Sequence, residues 1–176
     1  MSGTFFPLVL SVFCILLAPV HAAARLGHRI SSFKSLNGER VVLKEVIIKD
    51  EKKYYSFDLL ILEEKLARAS GFKAGMTVTV RAGKITGQSL AISMGKNLAA
   101  ASELAVEQAH LFACEALGRD LPREADDLQK EYGLIRQAIF HAVSGKPQEL
   151  KFPGSEGRII FKGGPQSSLL VAALPS

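Results

Sequence analysis

Four residues capable of metal or thiol chemistry recur along one predicted helix. Glu103, Glu107, His110 and Cys114 are separated by four, three and four positions. Residues three or four positions apart lie on the same face of an α-helix. The rest of this segment, 97–117, is mostly Ala, Leu, Val and Phe. We therefore predict an Ala-rich helix on which these four residues form one polar stripe.

The polar stripe has two interpretations, the first a metal or thiol site and the second a solvent-exposed helix face. His and Cys four positions apart can bind one zinc or copper ion, with a Glu one turn earlier as a third ligand. A neighbouring His can also activate a Cys as a nucleophile. Alternatively, the stripe is the solvent-exposed face of an amphipathic helix with Cys114 at its edge. This second interpretation is favoured, because no CxxC, HxH or HExxH pattern accompanies the stripe. We assign no catalytic residue and no cofactor, and keep the stripe as a candidate ligand or metal site.

The beginning of the chain has the composition of an export signal. The first 24 residues contain no Lys, Arg, Asp or Glu, and an apolar run over 5–20 is followed by small residues. Such a pattern is typical of a cleavable signal peptide, and the run is shorter than the ~20 residues that a membrane-spanning helix needs. An uncleaved anchor is the alternative, since no basic side chain precedes the run. We predict a signal peptide over 1–22 and a secreted or periplasmic protein.

Length and cysteine content indicate one domain without disulfides. About 150 residues remain after processing, which is an ordinary size for a single domain. Of the 2 cysteines in the chain, Cys14 leaves with the signal, so Cys114 has no intramolecular partner. We predict a loosely ordered arm over 23–38 and a single α+β domain over 39–176.

Charge is unevenly distributed along the chain. The formal net charge is +5, which divides into +9 outside residues 97–145 and −4 within them. A basic region of this kind can bind an anionic partner. Because the protein is predicted to be exported, we expect no nucleic-acid partner and only transient membrane contact through the signal segment. No pattern in the sequence specifies an oligomeric state.

The order of predicted elements favours an α+β fold. We predict strands over 40–49, 54–62, 76–81, 84–94, 148–152, 158–162 and 169–173. A short helix over 63–70 and the long helix over 97–117 precede a second long helix, which has Asp120 as its N-cap and ends before Gly145. Strands, a helical pair and then strands indicate a mainly antiparallel sheet packed against the helical pair.

These observations favour a binding role over catalysis. The sequence contains neither a Walker loop nor a nucleophile elbow. The carboxylate pairs Glu63-Glu64 and Asp126-Asp127 lie beside basic residues on predicted helices and are interpreted as solvent-exposed faces. We therefore expect an exported non-enzymatic binding or accessory protein that engages an envelope protein, an anionic surface or a small amphiphilic ligand. The alternative is a metal- or thiol-dependent small enzyme, or a metal carrier, that uses the polar stripe.

Overall fold

The computed structural model describes most of the predicted domain and little of the N-terminus. The described residues are 26–29, 41–59, 68–95, 97–165 and 167–175. The predicted signal peptide over 1–22 lies outside them, as does most of the predicted arm over 23–38.

Within the described residues, all strands join one antiparallel sheet. They are β1 Val41–Lys49, β2 Lys52–Leu59, β3 Lys73–Arg81, β4 Lys84–Ser93, β5 Gln148–Leu150, β6 Gly157–Gly164 and β7 Ser168–Pro175. Their order across the sheet is β1-β2-β3-β4-β7-β6-β5, and every neighbouring pair is antiparallel. The α+β class and the mainly antiparallel sheet are thus confirmed.

Alternating side chains determine which face of the sheet is buried. In β3, Met76, Val78 and Val80 are in the core, whereas Thr77 and Thr79 between them are only partly covered. Successive side chains of a strand point to opposite faces, and directly opposite residues on neighbouring strands share a face. We call the face that carries Met76, Val78 and Val80 the helix-side face, and the other the outer face.

Two long helices cover the helix-side face. Helix α1 spans Leu98–Leu117 and lies against β4, β7 and β6, whereas helix α2 spans Ala125–Val143 and lies against β6, β5 and β7. The buried residues of α2 form one stripe at helical spacing, namely Ile135, Ala138, Ile139 and Ala142. The helical pair therefore covers the half of the sheet formed by β4, β7, β6 and β5, whereas β1 lies at the other edge of the sheet.

The second helix begins later than its sequence predicts. Asp120 was expected to be the N-cap, but the N-cap is Glu124, which makes no side-chain capping hydrogen bond. The backbone N–H of Leu128 donates to the Glu124 carbonyl at 3.1 Å, so the first helical turn starts there. The prediction was wrong because Asp120 and Pro122 have the residue types of a helix start. In the structure these two residues belong to the connection between the helices.

The described part of the predicted arm is held against the sheet rather than loose. The N–H of Gly27 donates to the Ile85 carbonyl at 2.8 Å, and the N–H of Ile85 donates to the His28 carbonyl at 2.9 Å. Arg29 forms an isolated antiparallel bridge with Lys84. Residues 26–29 of the predicted arm therefore make backbone contacts with the start of β4.

No helix in the described part of the chain combines the length and apolar character needed to cross a membrane. Cys114 is a buried free thiol.

Candidate functional site

Helix α1 carries a buried histidine and a buried cysteine one turn apart. His110 is 1 % exposed and Cys114 is 3 % exposed. The Sγ atom of Cys114 lies 3.9 Å from Nε2 of His110, as expected for residues four positions apart on one helix face. These two members of the polar stripe therefore face the protein interior. Their burial rules out the favoured interpretation that they belong to a solvent-exposed face.

Helix α2 supplies the charged partner of this pair. Glu131 Oε2 lies 2.8 Å from His110 Nε2, and the Glu131 side chain is only 15 % exposed. An ionised carboxylate accepts but does not donate hydrogen bonds, so Nε2 carries the ring proton. The other ring nitrogen, Nδ1, is buried and has no hydrogen-bond partner among the described residues. The ring of Tyr132 meets the His110 ring edge-on, with the centroids 5.0 Å apart.

The end of α1 directs an arginine back onto this cluster. Gly118 has a positive φ of 63°, its N–H donates to the Glu115 carbonyl, and the N–H of Arg119 donates to the Cys114 carbonyl. This pattern is the Schellman motif, in which glycine is favoured because it adopts a left-handed conformation without steric cost. The reversal of the chain lets Arg119 donate to both carboxylate oxygens of Glu131.

The environment of the cluster sets its charges. Burial would raise the pKa of Glu131, but hydrogen bonds from Arg119 and His110 outweigh it and lower the pKa below its ordinary value. Burial raises the pKa of the Cys114 thiol to about 11, although the Arg119 charge partly opposes this rise. The guanidinium of Arg119 also lies 4.4 Å from the centroid of the Phe152 ring. At neutral pH the cluster therefore holds an ionised carboxylate and a protonated thiol.

The two glutamates of the predicted stripe lie outside this cluster. Glu103 is exposed and accepts a hydrogen bond from Arg136 of α2 at 2.7 Å, with 62 % of its side chain accessible. Glu107 is half-buried. Among the described residues, the ligand-type atoms that lie within 4.8 Å of one another belong to His110, Cys114 and Glu131. The structure thus replaces the two stripe glutamates with a carboxylate from the facing helix.

Sequence reasoning missed Glu131 because it lies on a different helix from the stripe. The available signal was its position between Leu128 and Ile135 of the apolar stripe of α2, three and four positions away. A charged residue at that spacing lies at the helix interface and needs a partner there. The sequence did not show which side chain of α1 would face it.

A second feature, on the outer face of the sheet, consists of basic side chains aligned across neighbouring strands. Lys49 lies opposite Lys52, which lies opposite Arg81 of β3. Arg81 lies opposite Lys84, which is bridged to Arg29. We call these five residues the basic row. Adjacent strands are about 5 Å apart, so the row places cationic side chains at that interval across one end of the sheet.

The basic row places like charges opposite one another and has exposed apolar side chains nearby. Like charges directly opposite each other destabilise a sheet, and Glu51 in the hairpin turn reaches Arg81 only at 3.9 Å, with both side chains largely exposed. Beside Lys49, Ile48 is 71 % exposed and Ile47 is 48 % exposed. Ile47 shares the outer face with Lys49, whereas Ile48 lies on the helix-side face at the same end of the β1–β2 hairpin.

Comparison with known proteins found no matching family model, no matching curated protein and no matching solved structure.

Proposed function

We propose that this chain is an exported, non-enzymatic binding protein whose basic row engages an anionic surface formed by acidic phospholipid headgroups. The observation that carries the proposal is the alignment of Arg29, Lys84, Arg81, Lys52 and Lys49 across one end of the outer face. Export itself rests on the composition of the first 24 residues.

Electrostatics supports an extended anionic partner rather than a single small anion. A row of cations at intervals of about 5 Å matches a surface that carries many negative charges better than it matches one ion. Each Lys or Arg near an anionic membrane contributes about 1 kcal/mol to binding. An arrangement of like charges that costs fold stability is compensated when such a partner neutralises it.

The exposed apolar residues of the hairpin favour lipid over a purely polar polyanion. Ile47 shares the outer face with Lys49 and is 48 % exposed, whereas Ile48 is 71 % exposed at the same end of the hairpin but on the helix-side face. Peripheral membrane proteins combine basic residues with apolar side chains that enter the boundary between headgroups and acyl chains. This proposal extends the expected membrane contact from the signal segment to a peripheral contact of the folded domain.

The chemistry of Cys114 disfavours the alternative of a thiol-dependent enzyme. A nucleophilic cysteine needs a thiolate at working pH, but burial raises the pKa of the Cys114 thiol to about 11. Its side chain is also almost fully covered, so a substrate has no access to the sulfur. The metal-dependent part of that alternative does not depend on a thiolate being present before the ion binds.

Vesicle co-sedimentation tests the lipid proposal. The full chain is incubated with phosphatidylcholine vesicles, with or without phosphatidylglycerol. We expect binding only to the anionic vesicles, and weaker binding as salt is added, because salt screens exposed charges. The double variant Lys52→Gln/Lys84→Gln should lose about 2 kcal/mol of binding free energy, or roughly 30-fold in affinity.

A matched charge control isolates the basic row. Lys146→Gln/Lys151→Gln removes the same charge from two exposed lysines beside β5, away from the row, and should bind almost as the unmodified chain does. Equal loss in both double variants would mean that net charge alone drives binding. Binding to soluble dextran sulfate without binding to anionic vesicles would contradict the lipid proposal. It would indicate that the basic row binds a polyanionic polymer instead.

A further inference from the structure

The cluster between α1 and α2 brings together three side chains of the types that bind zinc. It contains an imidazole nitrogen, a thiol sulfur and a carboxylate oxygen, all within 4.8 Å of one another. We infer that His110, Cys114 and Glu131 form a binding site for a transition-metal ion, and that Zn²⁺ suits it best. This inference is independent of the proposed lipid contact.

The distances between the ligand atoms are close to those of a tetrahedral zinc site. Zinc bonds of about 2.3 Å to sulfur and about 2.0 Å to nitrogen or oxygen imply separations of about 3.5 Å between sulfur and nitrogen and about 3.3 Å between nitrogen and oxygen. The observed distances are 3.9 Å from Cys114 Sγ to His110 Nε2 and 2.8 Å from His110 Nε2 to Glu131 Oε2. Small side-chain rotations of a few tenths of an ångström bring both into range.

The two oxygens of Glu131 differ in their contacts. Oε1 accepts a hydrogen bond from Nη2 of Arg119, whereas Oε2 faces His110 and accepts only a longer hydrogen bond, of 3.4 Å, from Nη1 of Arg119. The carboxylate can therefore coordinate an ion through Oε2, in place of that longer bond, while Nη2 of Arg119 continues to donate to Oε1. Hydrogen bonds of this kind fix the orientation of metal ligands and are part of most metal sites.

Metal binding requires two proton transfers, and the destination of each proton is defined. The ring proton of His110 leaves Nε2 for the unpartnered Nδ1, which frees the Nε2 lone pair for the ion. Cys114 binds as a thiolate, so its S–H bond breaks and one proton is released to solvent for each ion bound. No oxidant or reductant takes part. The ion then lies between two anionic ligands and one neutral ligand, and the charge of Arg119 remains outside the coordination sphere.

The ligand set discriminates among metals. A thiolate and an imidazole exclude the hard ions Mg²⁺ and Ca²⁺, which prefer oxygen ligands. One sulfur, one nitrogen and one oxygen at tetrahedral spacing suit Zn²⁺, with a fourth position that water can fill. The 15 % exposure of Glu131 marks the side from which ion and water enter, because His110 and Cys114 are covered.

Titration of the metal-free full chain with Zn²⁺ and Co²⁺ tests this inference. The chain is purified without a metal-binding tag and treated with a chelator, and binding is followed by calorimetry. We expect one ion per chain, and a heat that varies with the ionisation enthalpy of the buffer in proportion to one released proton. With Co²⁺, absorption from a thiolate–cobalt bond should appear. Zn²⁺ should also raise the Tm, since a ligand that binds only the native state stabilises it.

Two conservative variants identify the ligands. Cys114→Ser should abolish the thiolate–cobalt absorption, and both Cys114→Ser and Glu131→Gln should weaken Zn²⁺ binding by more than about 100-fold, since even outer-shell changes cost 10- to 100-fold. Glu103→Gln is the matched control, because Glu103 lies on the same helix outside the cluster, and it should bind Zn²⁺ normally. Circular dichroism establishes that each variant is folded.

Three results would overturn the inference. They are absence of stoichiometric Zn²⁺ binding by the unmodified chain, cobalt binding without a thiolate signal, and a folded Cys114→Ser or Glu131→Gln variant that binds Zn²⁺ as tightly as the unmodified chain. In each case the cluster would be a structural hydrogen-bond network between the helices.

Discussion

Glu131 connects the two long helices through charge. Its carboxylate accepts hydrogen bonds from His110 of α1 and from Arg119 just after α1, while its own backbone belongs to α2. Removal of one partner from a mostly buried pair leaves the other uncompensated, which costs more than the intact pair contributes. The contribution of Glu131 to stability is therefore measurable by substitution.

Glu131→Gln should lower the free energy of unfolding by about 2 kcal/mol at pH 7, because Arg119 and His110 lose their anionic partner. Urea denaturation with an unchanged m-value checks this. Glu103→Gln breaks the exposed pair with Arg136 and should cost less than about 0.5 kcal/mol, as exposed ion pairs contribute little. A comparable loss in both variants would contradict the burial argument.

The difference between the unmodified chain and Glu131→Gln should depend on pH. The folded pKa of Glu131 lies below its ordinary value of 4.5, so ionised Glu131 stabilises the fold at pH values above 4.5. That contribution is lost as pH falls through the lower folded pKa. The stability difference should therefore be complete at pH 7 and shrink only below pH 4.5, as urea titrations at a series of pH values would show. A difference that already shrinks near pH 6 would disagree with this assignment.

Cys114 should react with thiol reagents only when the protein unfolds. Its side chain is 3 % exposed, and burial raises the pKa of the thiol to about 11, so little thiolate is present and little of it is accessible. Labelling with iodoacetamide at pH 8, followed by mass spectrometry, should be slow in buffer and fast in denaturing urea. Rapid labelling of the native protein would show that the helix interface opens readily.

Prediction of the site from sequence succeeded only within one helix. The spacing of His110 and Cys114 predicted that they share a helix face, and they do. The spacing could not show that this face meets α2, because the choice of neighbour is a property of tertiary packing. The basic row was equally hidden, since Lys52 and Arg81 become neighbours only through the register of β2 and β3.

Among the elements, α2 and β6 approach each other closely at a glycine. A Cβ atom added to Gly163 of β6 would clash with the backbone oxygen of Ala142 and would lie 3.0 Å from Cα of Val143. Backbone atoms cannot move aside as a flexible side chain can, so the helix itself would have to shift. The absence of a side chain at this position therefore lets the end of α2 lie against the sheet.

Gly163→Ala should destabilise the protein by about 2 kcal/mol, in the range of overpacked sites, as measured by thermal or urea unfolding. Gly133→Ala is the matched control within α2, because a Cβ atom there meets nothing within 4 Å. It should stabilise the protein by about 0.5–1 kcal/mol, since Ala is a better helix former than Gly. Destabilisation by both variants would show that the close approach at Gly163 is not the cause.

Local patterns predicted the elements well where side chains alternate and less well where the chain changes direction. The alternation of Met76, Val78 and Val80 predicted β3, although the strand begins earlier, at Lys73. The N-cap expected at Asp120 was wrong because the connection after Gly118 is also used to turn Arg119 toward Glu131. The tertiary contact between Arg119 and Glu131 thus accompanies a helix start that differs from the local preference.

At the scale of the whole molecule, the predicted signal peptide over 1–22 has a consequence that can be measured on the mature chain. The composition of residues 1–24 predicts removal of 1–22, which would leave Ala23 as the first residue of the mature chain. Intact-mass spectrometry of the protein isolated from the exported fraction checks this. A mass equal to that of all 176 residues would indicate a retained anchor instead and would contradict the predicted cleavage.

The position of β7 in the sheet has a consequence for how the chain reaches its native state. Ser93 of β4 lies opposite Ser168 of β7, and the separation is 168 − 93 = 75 positions, whereas β1, β2 and β3 pair with strands that adjoin them in sequence. Loop closure over such a distance is entropically costly, so this pairing should form late and slow the overall folding rate. Until it forms, β4 is an open edge. A β7 strand from a second molecule can occupy that edge. Strand-swapped aggregates are therefore expected when the protein refolds at high concentration.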